Sequence, residues 1–295
     1  MAARWRRALH LIALAACGVG CRAPQPSPSA SASAAHASDS SPPLAVTAPS
    51  SSARPEGGAG SGRAPAKAEL PRLIEAHEFV ALAVPEFRDA VVSVPTDGRE
   101  PRVLVLALHG NFDRPEWQCE VWRRITRAQQ WVLCPRGIPR RDVPKELDRW
   151  EWGSRASTKR ELVAAIAALR ARYGEHVSPA PLVFTGFSLG AILGASLISD
   201  PELGVGAAVL VEGGYRGWTA GKAKALGPGF GRLLFACGQT ECRNAYRFQL
   251  EPLFQRAVIS TALVADVKAG HTYDDPLAAL VAAEWDALIA SLNPN

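Results

Sequence analysis

FTGFSLGAILGASL, Phe184 to Leu197, places one hydroxyl, that of Ser188, between Gly186 and Gly190 at the point where an apolar run gives way to small residues. A strand that turns sharply into a helix lifts one side chain clear of a sheet only if its neighbours have no bulk to collide with. Gly186 and Gly190 supply that clearance, and Gly194 with Ala195 let the helix pack close to the sheet. Ser188 is then expected at the tip of the turn, at the amino end of a helix whose dipole favours negative charge. Two other readings of the stretch compete. One is a glycine-rich turn that merely packs helix on strand; the other is a phosphate-binding loop, which lacks here its Gly-Lys-Ser/Thr ending and its acidic ribose ligand.

Outward from this turn, short apolar runs alternate with helical patterns. The runs are Val103 to Leu108, Trp131 to Cys134, Leu182 to Thr185, Ala207 to Val211, Leu233 to Cys237 and Ala262 to Val267. Their unbroken apolar character predicts strands buried on both faces, hence a mostly parallel sheet covered by helices. Phe79 to Val84 and Ala90 to Val94 predict an antiparallel edge pair ahead of them. Asp113 followed by Pro115 opens a helix through Trp122 and Ile125, and Thr158 with Glu161 forms a capping box for another. A last helix starting at Asp275 and Pro276 sets Leu277, Leu280, Val281, Trp285, Leu288 and Leu292 on one stripe. Strand and helix in alternation imply right-handed crossovers and a doubly wound α/β sheet with helices on both faces. Ligand chemistry then belongs at the carboxyl ends of the strands.

A serine hydroxyl is a weak nucleophile and needs a base. Of the six histidines, His10 and His36 precede the globular part, His77 precedes the first strand, and His176 enters the serine strand at the opposite edge. His109 ends a strand at the correct edge but adjoins Gly110, which favours a backbone role. His271, in AGHTYDD after the last strand, remains as the base by elimination. The oxyanion of an acyl transfer needs preorganised donors. These are expected to be the backbone N–H of Leu189 and one from HGNF, that of Asn111 in preference to Phe112. The carboxylate that orients the imidazole is expected in the turn CGQTEC, where Glu241 is the only acid, with a Cys237 to Cys242 disulfide holding that turn rigid. Glu212, ending AAVLVE, is the main alternative; Asp266, Asp274 and Asp275 are weaker.

The N-terminal quarter differs in kind. Arg4, Arg6 and Arg7, the apolar stretch Ala8 to Ala16, and LAAC ending at Cys17 make residues 1–21 a signal-like segment. It resembles a bacterial lipoprotein signal, which implies lipidation at Cys17, with Cys21 as a second possible site and plain secretion as the alternative. The apolar stretch is too short to span a bilayer. Residues 22–68, rich in Pro, Ser, Ala and Gly, predict a disordered linker, and residues 69–295 form one globular domain. The four cysteines of that domain, Cys119, Cys134, Cys237 and Cys242, are an even set that fits two disulfides in an oxidising compartment; their spacings match no zinc pattern well. Pairing Cys119 with Cys134 would tie the helix after the oxyanion loop to the next strand. The formal charge of +5 falls to +2 without the three leader arginines, and the remaining ones are scattered among acids, which argues against a nucleic-acid track.

With GFSLG, LHGN and AGH in this order, the region from Phe79 to Leu292 resembles the α/β-hydrolase superfamily, particularly its compact esterase and peptidase members. The departure is at the acid, a glutamate where aspartate is commoner. The resemblance implies an acyl-enzyme on Ser188 with proton transfer through His271, on a small ester or a short peptide, and without cofactor or metal. The twenty or so residues between the strands ending at Glu212 and starting at Leu233 leave no room for a large lid domain. Trp117, Trp150, Trp152 and Trp218 lie near the expected mouth, as pocket walls or as packing. The expected protein is a carboxylesterase-like hydrolase held at the bacterial cell envelope by a lipid anchor on the membrane, or secreted; a peptidase or a non-catalytic binding protein of the same fold are the other readings.

Overall fold

The computed structural model describes residues 70–292. Strands β1 (Phe79–Leu82), β2 (Ala90–Ser93), β3 (Leu104–Leu108) and β4 (Trp131–Cys134) come first, followed by a two-residue ribbon of β5 (Ile138–Pro139) and β6 (Trp150–Glu151). Then come β7 (Leu182–Phe187), β8 (Val205–Val211), β9 (Arg232–Cys237) and β10 (Ser260–Ala265). Eight of them form one sheet in the order β1-β2-β4-β3-β7-β8-β9-β10. The β1–β2 and β2–β4 pairs are antiparallel, and every other neighbouring pair is parallel. The leader with Cys17 and Cys21 and the linker 22–68 lie outside the described residues.

The continuous apolar runs follow from burial of both faces. In β3, Leu104, Leu106 and Leu108 enter one core while Val105 and Ala107 enter the other. Helices α1 (Pro115–Ile125) and α7 (Leu277–Ala290) cover the second face, contributing Trp122, Ile125, Val281, Trp285 and Leu288. Helices α2 (Arg155–Tyr173) and α3 (Leu189–Leu197) cover the first with Leu162, Leu169, Ala191 and Leu197. Phe254, on α6 (Glu251–Ala257), joins them. Each fully buried side chain of this size contributes roughly 1.5–3 kcal/mol relative to exposure. The segment between β8 and β9 carries only the five-residue α4 (Ala220–Lys224), and between β9 and β10 the six-residue α5 (Thr240–Ala245) precedes α6.

Three local expectations are corrected. Helix α2 starts three residues before Thr158, because Ser154 caps it: its Oγ accepts the Ser157 N–H at 3.2 Å. Glu161 does not reach back to a cap; it turns inward, where its Oε1 accepts the Gly137 N–H at 2.8 Å and burial pushes its pKa up. Asp113 does not cap α1, whose N-cap is Arg114, and strand β10 ends at Ala265 rather than Val267 because Asp266 opens a turn closed by the Ala269 N–H.

Candidate active site

The turn at Ser188 is built by close approach. A Cβ on Gly190 would lie 2.4 Å from the Leu108 carbonyl oxygen and 2.7 Å from that of His109, so α3 starts in direct contact with the end of β3. A Cβ on Gly186 would meet the Gly190 backbone at 2.6 Å. Ser188 itself takes φ +50°, ψ −112°, a conformation that costs an L-residue energy and aims its side chain out of the sheet. Its N–H is tied to the Val211 carbonyl at 2.9 Å, which keeps the strained residue in place.

The residues that follow β3, β7, β8, β9 and β10 meet at one edge. Ser188 Oγ lies 2.9 Å from His271 Nε2, the distance of a hydrogen bond that the hydroxyl donates to a neutral imidazole. The other ring nitrogen, Nδ1, faces Glu212 Oε2 at 3.4 Å. That oxygen is buried and accepts no hydrogen bond, so the imidazole is the group it faces, while Glu212 Oε1 accepts the N–H groups of Gly238 and of Gln239, the latter at 3.0 Å. Phe187 packs against the imidazole with ring centroids 4.9 Å apart.

Glu241, the acid expected from the CGQTEC turn, does not reach His271. It points into solvent and pairs with Arg216. Helix α5 begins at Thr240, so the backbone has already turned away from the sheet edge at Glu241. Glu212, the alternative acid, takes that place one strand earlier: it directly follows the end of β8 at Val211, and its φ of +51° turns the side chain back toward the cleft. The remaining carboxylates are elsewhere: Asp266 accepts the Lys268 N–H at 2.7 Å, and Asp274 and Asp275 pair with Arg124.

Leu189 is the first residue of α3, so its N–H has no partner within the helix. On the other side, the Phe112 N–H is spent on the Trp150 carbonyl at 3.0 Å, so of the two N–H groups expected in HGNF that of Phe112 is already committed. The Asn111 side chain is held by Arg140, and Gly110 abuts the turn closely enough that a Cβ there would lie 3.4 Å from Ser188 Cβ. His109 has a backbone role: its ring nitrogens face the carbonyls of Gly110 and Arg136 at 2.7 and 2.9 Å, and burial pushes its pKa down. Asp113 spans two loops of the site, accepting from Gly110 N–H and from the Tyr273 hydroxyl, and burial pushes its pKa up. His176 lies at the opposite edge, its Nδ1 2.9 Å from the Gly98 carbonyl.

The cleft beside Ser188 and His271 has a volume of about 340 Å³ and is lined by Ile192, Tyr215, Arg216 and Gln239. None of these four was evident beforehand; the only sequence signal was their place just past a strand or on the serine helix. None of the four tryptophans lines it: Trp117 is exposed on α1 beneath Arg114 and Arg149, and the other three brace the surrounding loops. Trp152 stacks on His109 at 4.6 Å and donates to its carbonyl, Trp150 holds Phe112, and Trp218 packs on Phe254. Two disulfides, Cys119–Cys134 and Cys237–Cys242, use all four cysteines of the domain, the first joining α1 to β4.

No family model and no curated protein matches the chain. Solved structures do. A putative dienelactone hydrolase from Klebsiella pneumoniae superposes with a TM-score of 0.51 at 15% identity, covering 72% of this chain and 97% of that one. A dienelactone hydrolase-like promiscuous phosphotriesterase from metagenomic libraries gives 0.52 at 19% identity, again over 72% and 97%. Together with the sheet order, this likeness establishes an α/β-hydrolase fold.

Proposed function

We propose that this protein is a serine hydrolase that cleaves small carboxylic esters through an acyl-enzyme on Ser188. The observation that carries the reading is the chain of contacts from Ser188 Oγ through both nitrogens of His271 to the buried Glu212 carboxylate. As Oγ attacks the ester carbonyl, its proton passes to Nε2, and the resulting imidazolium is stabilised by Glu212 across Nδ1. The tetrahedral oxyanion rests on the N–H groups of Leu189 and Asn111; each such donor is worth about 3 kcal/mol in the transition state. The intermediate collapses, Nε2–H protonates the departing alcohol, and a water deprotonated by His271 then attacks the acyl-enzyme to release the acid and free Oγ. His271 is partly exposed, which supports access of that water. A cleft of about 340 Å³ is near the lower end for small-molecule sites and suits a short acyl group.

The same reading places the enzyme at the bacterial envelope, tethered through a lipid on Cys17 and the linker 22–68, or secreted. Its support is the Arg-rich, apolar leader ending in LAAC and the pairing of the domain's cysteines, which persists in oxidising compartments.

The test is labelling and turnover together. A fluorophosphonate probe is expected to label the protein at Ser188, and Ser188→Ala is expected to lose both the label and several orders of magnitude of p-nitrophenyl acetate hydrolysis. Full hydrolysis by Ser188→Ala would overturn the proposal.

A further inference from the structure

We infer that the disulfide-closed turn Cys237 to Cys242 is a positioning device for the Glu212–His271 pair. The inference rests on the hydrolase reading above and deepens it. Only Gly238 and Gln239 separate the end of β9 from the start of α5, and both of their N–H groups point at the same oxygen, Glu212 Oε1. A carboxylate held by two fixed donors on one oxygen cannot rotate freely, and its second oxygen is thereby aimed at His271 Nδ1.

The turn touches the base as well as the acid. A Cβ on Gly238 would lie 2.2 Å from the carbonyl oxygen of Gly270 and 2.8 Å from its nitrogen, so the turn packs directly on the residue that precedes His271. Gly270 has φ +70°, a left-handed conformation that swings the chain into the His271 loop. One short piece of backbone thus sets the distance between acid and base. Little apolar packing fixes that piece: α5 buries only Cys242 and Ala245. Beside the Gly270 contact, the turn is held by the disulfide between two fully buried cysteines and by Arg243, whose side chain donates to the Gly238 carbonyl and to Thr240 and whose N–H donates to the Gln239 carbonyl at 3.2 Å. The cross-link is therefore the element that keeps the two amides aimed, and Gly238, Gln239, Cys237 and Cys242 are positioning residues acting through Glu212.

A double-mutant cycle separates this role from plain structural support, because groups that act through one partner lose their effect when that partner is gone. The two perturbations are C237A with C242A, which opens the turn, and Gln239→Pro, which deletes one donor. Gln239 has φ −77° and ψ +144°, which proline adopts, so the second change removes the N–H while leaving the disulfide and the chain path in place; it also trims one cleft wall, an effect the cycle subtracts because it is the same in both backgrounds. Each is made in the natural protein and in a Glu212→Ala background, which removes the oxygen that both amides hold, and kcat and KM for p-nitrophenyl acetate are measured. In the natural background each is expected to lower kcat about 10-fold or more with KM within about 3-fold, the pattern of lost transition-state stabilisation. In the Glu212→Ala background each is expected to change kcat by less than about 2-fold. Equal losses in both backgrounds, or an unchanged kcat in the natural one, would overturn the inference. Should the cysteine variant fail to fold in a thermal melt, Gln239→Pro alone decides. Ser188→Ala runs alongside: if it hydrolyses as fast as the natural protein, the hydrolase reading falls, whereas an inactive Ser188→Ala with an additive cycle sinks only the positioning role.

Discussion

Replacing Glu212 by glutamine tests the site at its acid, for which Glu241 was the first expectation and Glu212 the alternative. The change keeps shape and volume, and the amide oxygen can still accept from the Gly238 and Gln239 N–H groups. What then faces His271 Nδ1, 3.4 Å away, is an NH₂ group instead of an oxygen. Such a donor favours the tautomer with its proton on Nε2, and Nε2–H opposite Ser188 cannot accept the hydroxyl proton. The variant also loses the negative charge that stabilises the imidazolium. Together these predict a fall in kcat of about 10³–10⁴-fold, or roughly 4–5.5 kcal/mol. Glu241→Gln is the internal comparison. It breaks an exposed pair with Arg216, worth at most about 1 kcal/mol, so kcat is expected to change by less than about 5-fold. Stopped-time hydrolysis of p-nitrophenyl acetate, with thermal melts to show that both variants fold, reads the difference. A Glu212→Gln enzyme within 10-fold of the natural one, or a Glu241→Gln enzyme that is the more damaged of the two, would refute the assignment.

Gly190→Ala is expected to lower stability by about 1–3 kcal/mol and to depress kcat, since its Cβ would fall 2.4 Å from the Leu108 carbonyl and push the serine helix off β3; an unchanged melting temperature would count against the close approach. His109 carries a pH dependence of stability. Its folded pKa is lowered by burial from 6.5, so below about pH 6.5 the unfolded chain takes up a proton that the folded one resists, and stability falls as pH drops from there toward the folded value. The slope is at most about 1.4 kcal/mol per pH unit, and urea titrations at pH 5 and 7.5 should show it shrink in His109→Gln; an identical slope would show that another group is responsible.

The legible part of this protein is what repeats along the chain. Unbroken apolar runs reveal strands covered on both faces, as β3 shows with alternate residues in two cores, and small residues around Ser188 reveal a turn that tolerates no bulk. The base could be reached by elimination because only His271 follows the last strand at the correct edge. Each of these inferences depends on spacing, and spacing survives in one dimension. The acid does not announce itself in this way. Glu212 reads as the polar end of an apolar strand, Glu241 as the one acid in a cysteine-bounded turn, and nothing local tells them apart. The fold separates them through side-chain direction: a left-handed φ at Glu212 returns its carboxylate to the cleft, and the onset of α5 turns Glu241 out to Arg216. The cleft walls Ile192, Tyr215, Arg216 and Gln239 emerge for the same reason, since they are neighbours only once β7, β8 and β9 lie side by side. Periodicity records which face of an element is dry, whereas a catalytic contact requires angles and distances between elements far apart in the chain, and those are set only when the sheet has assembled.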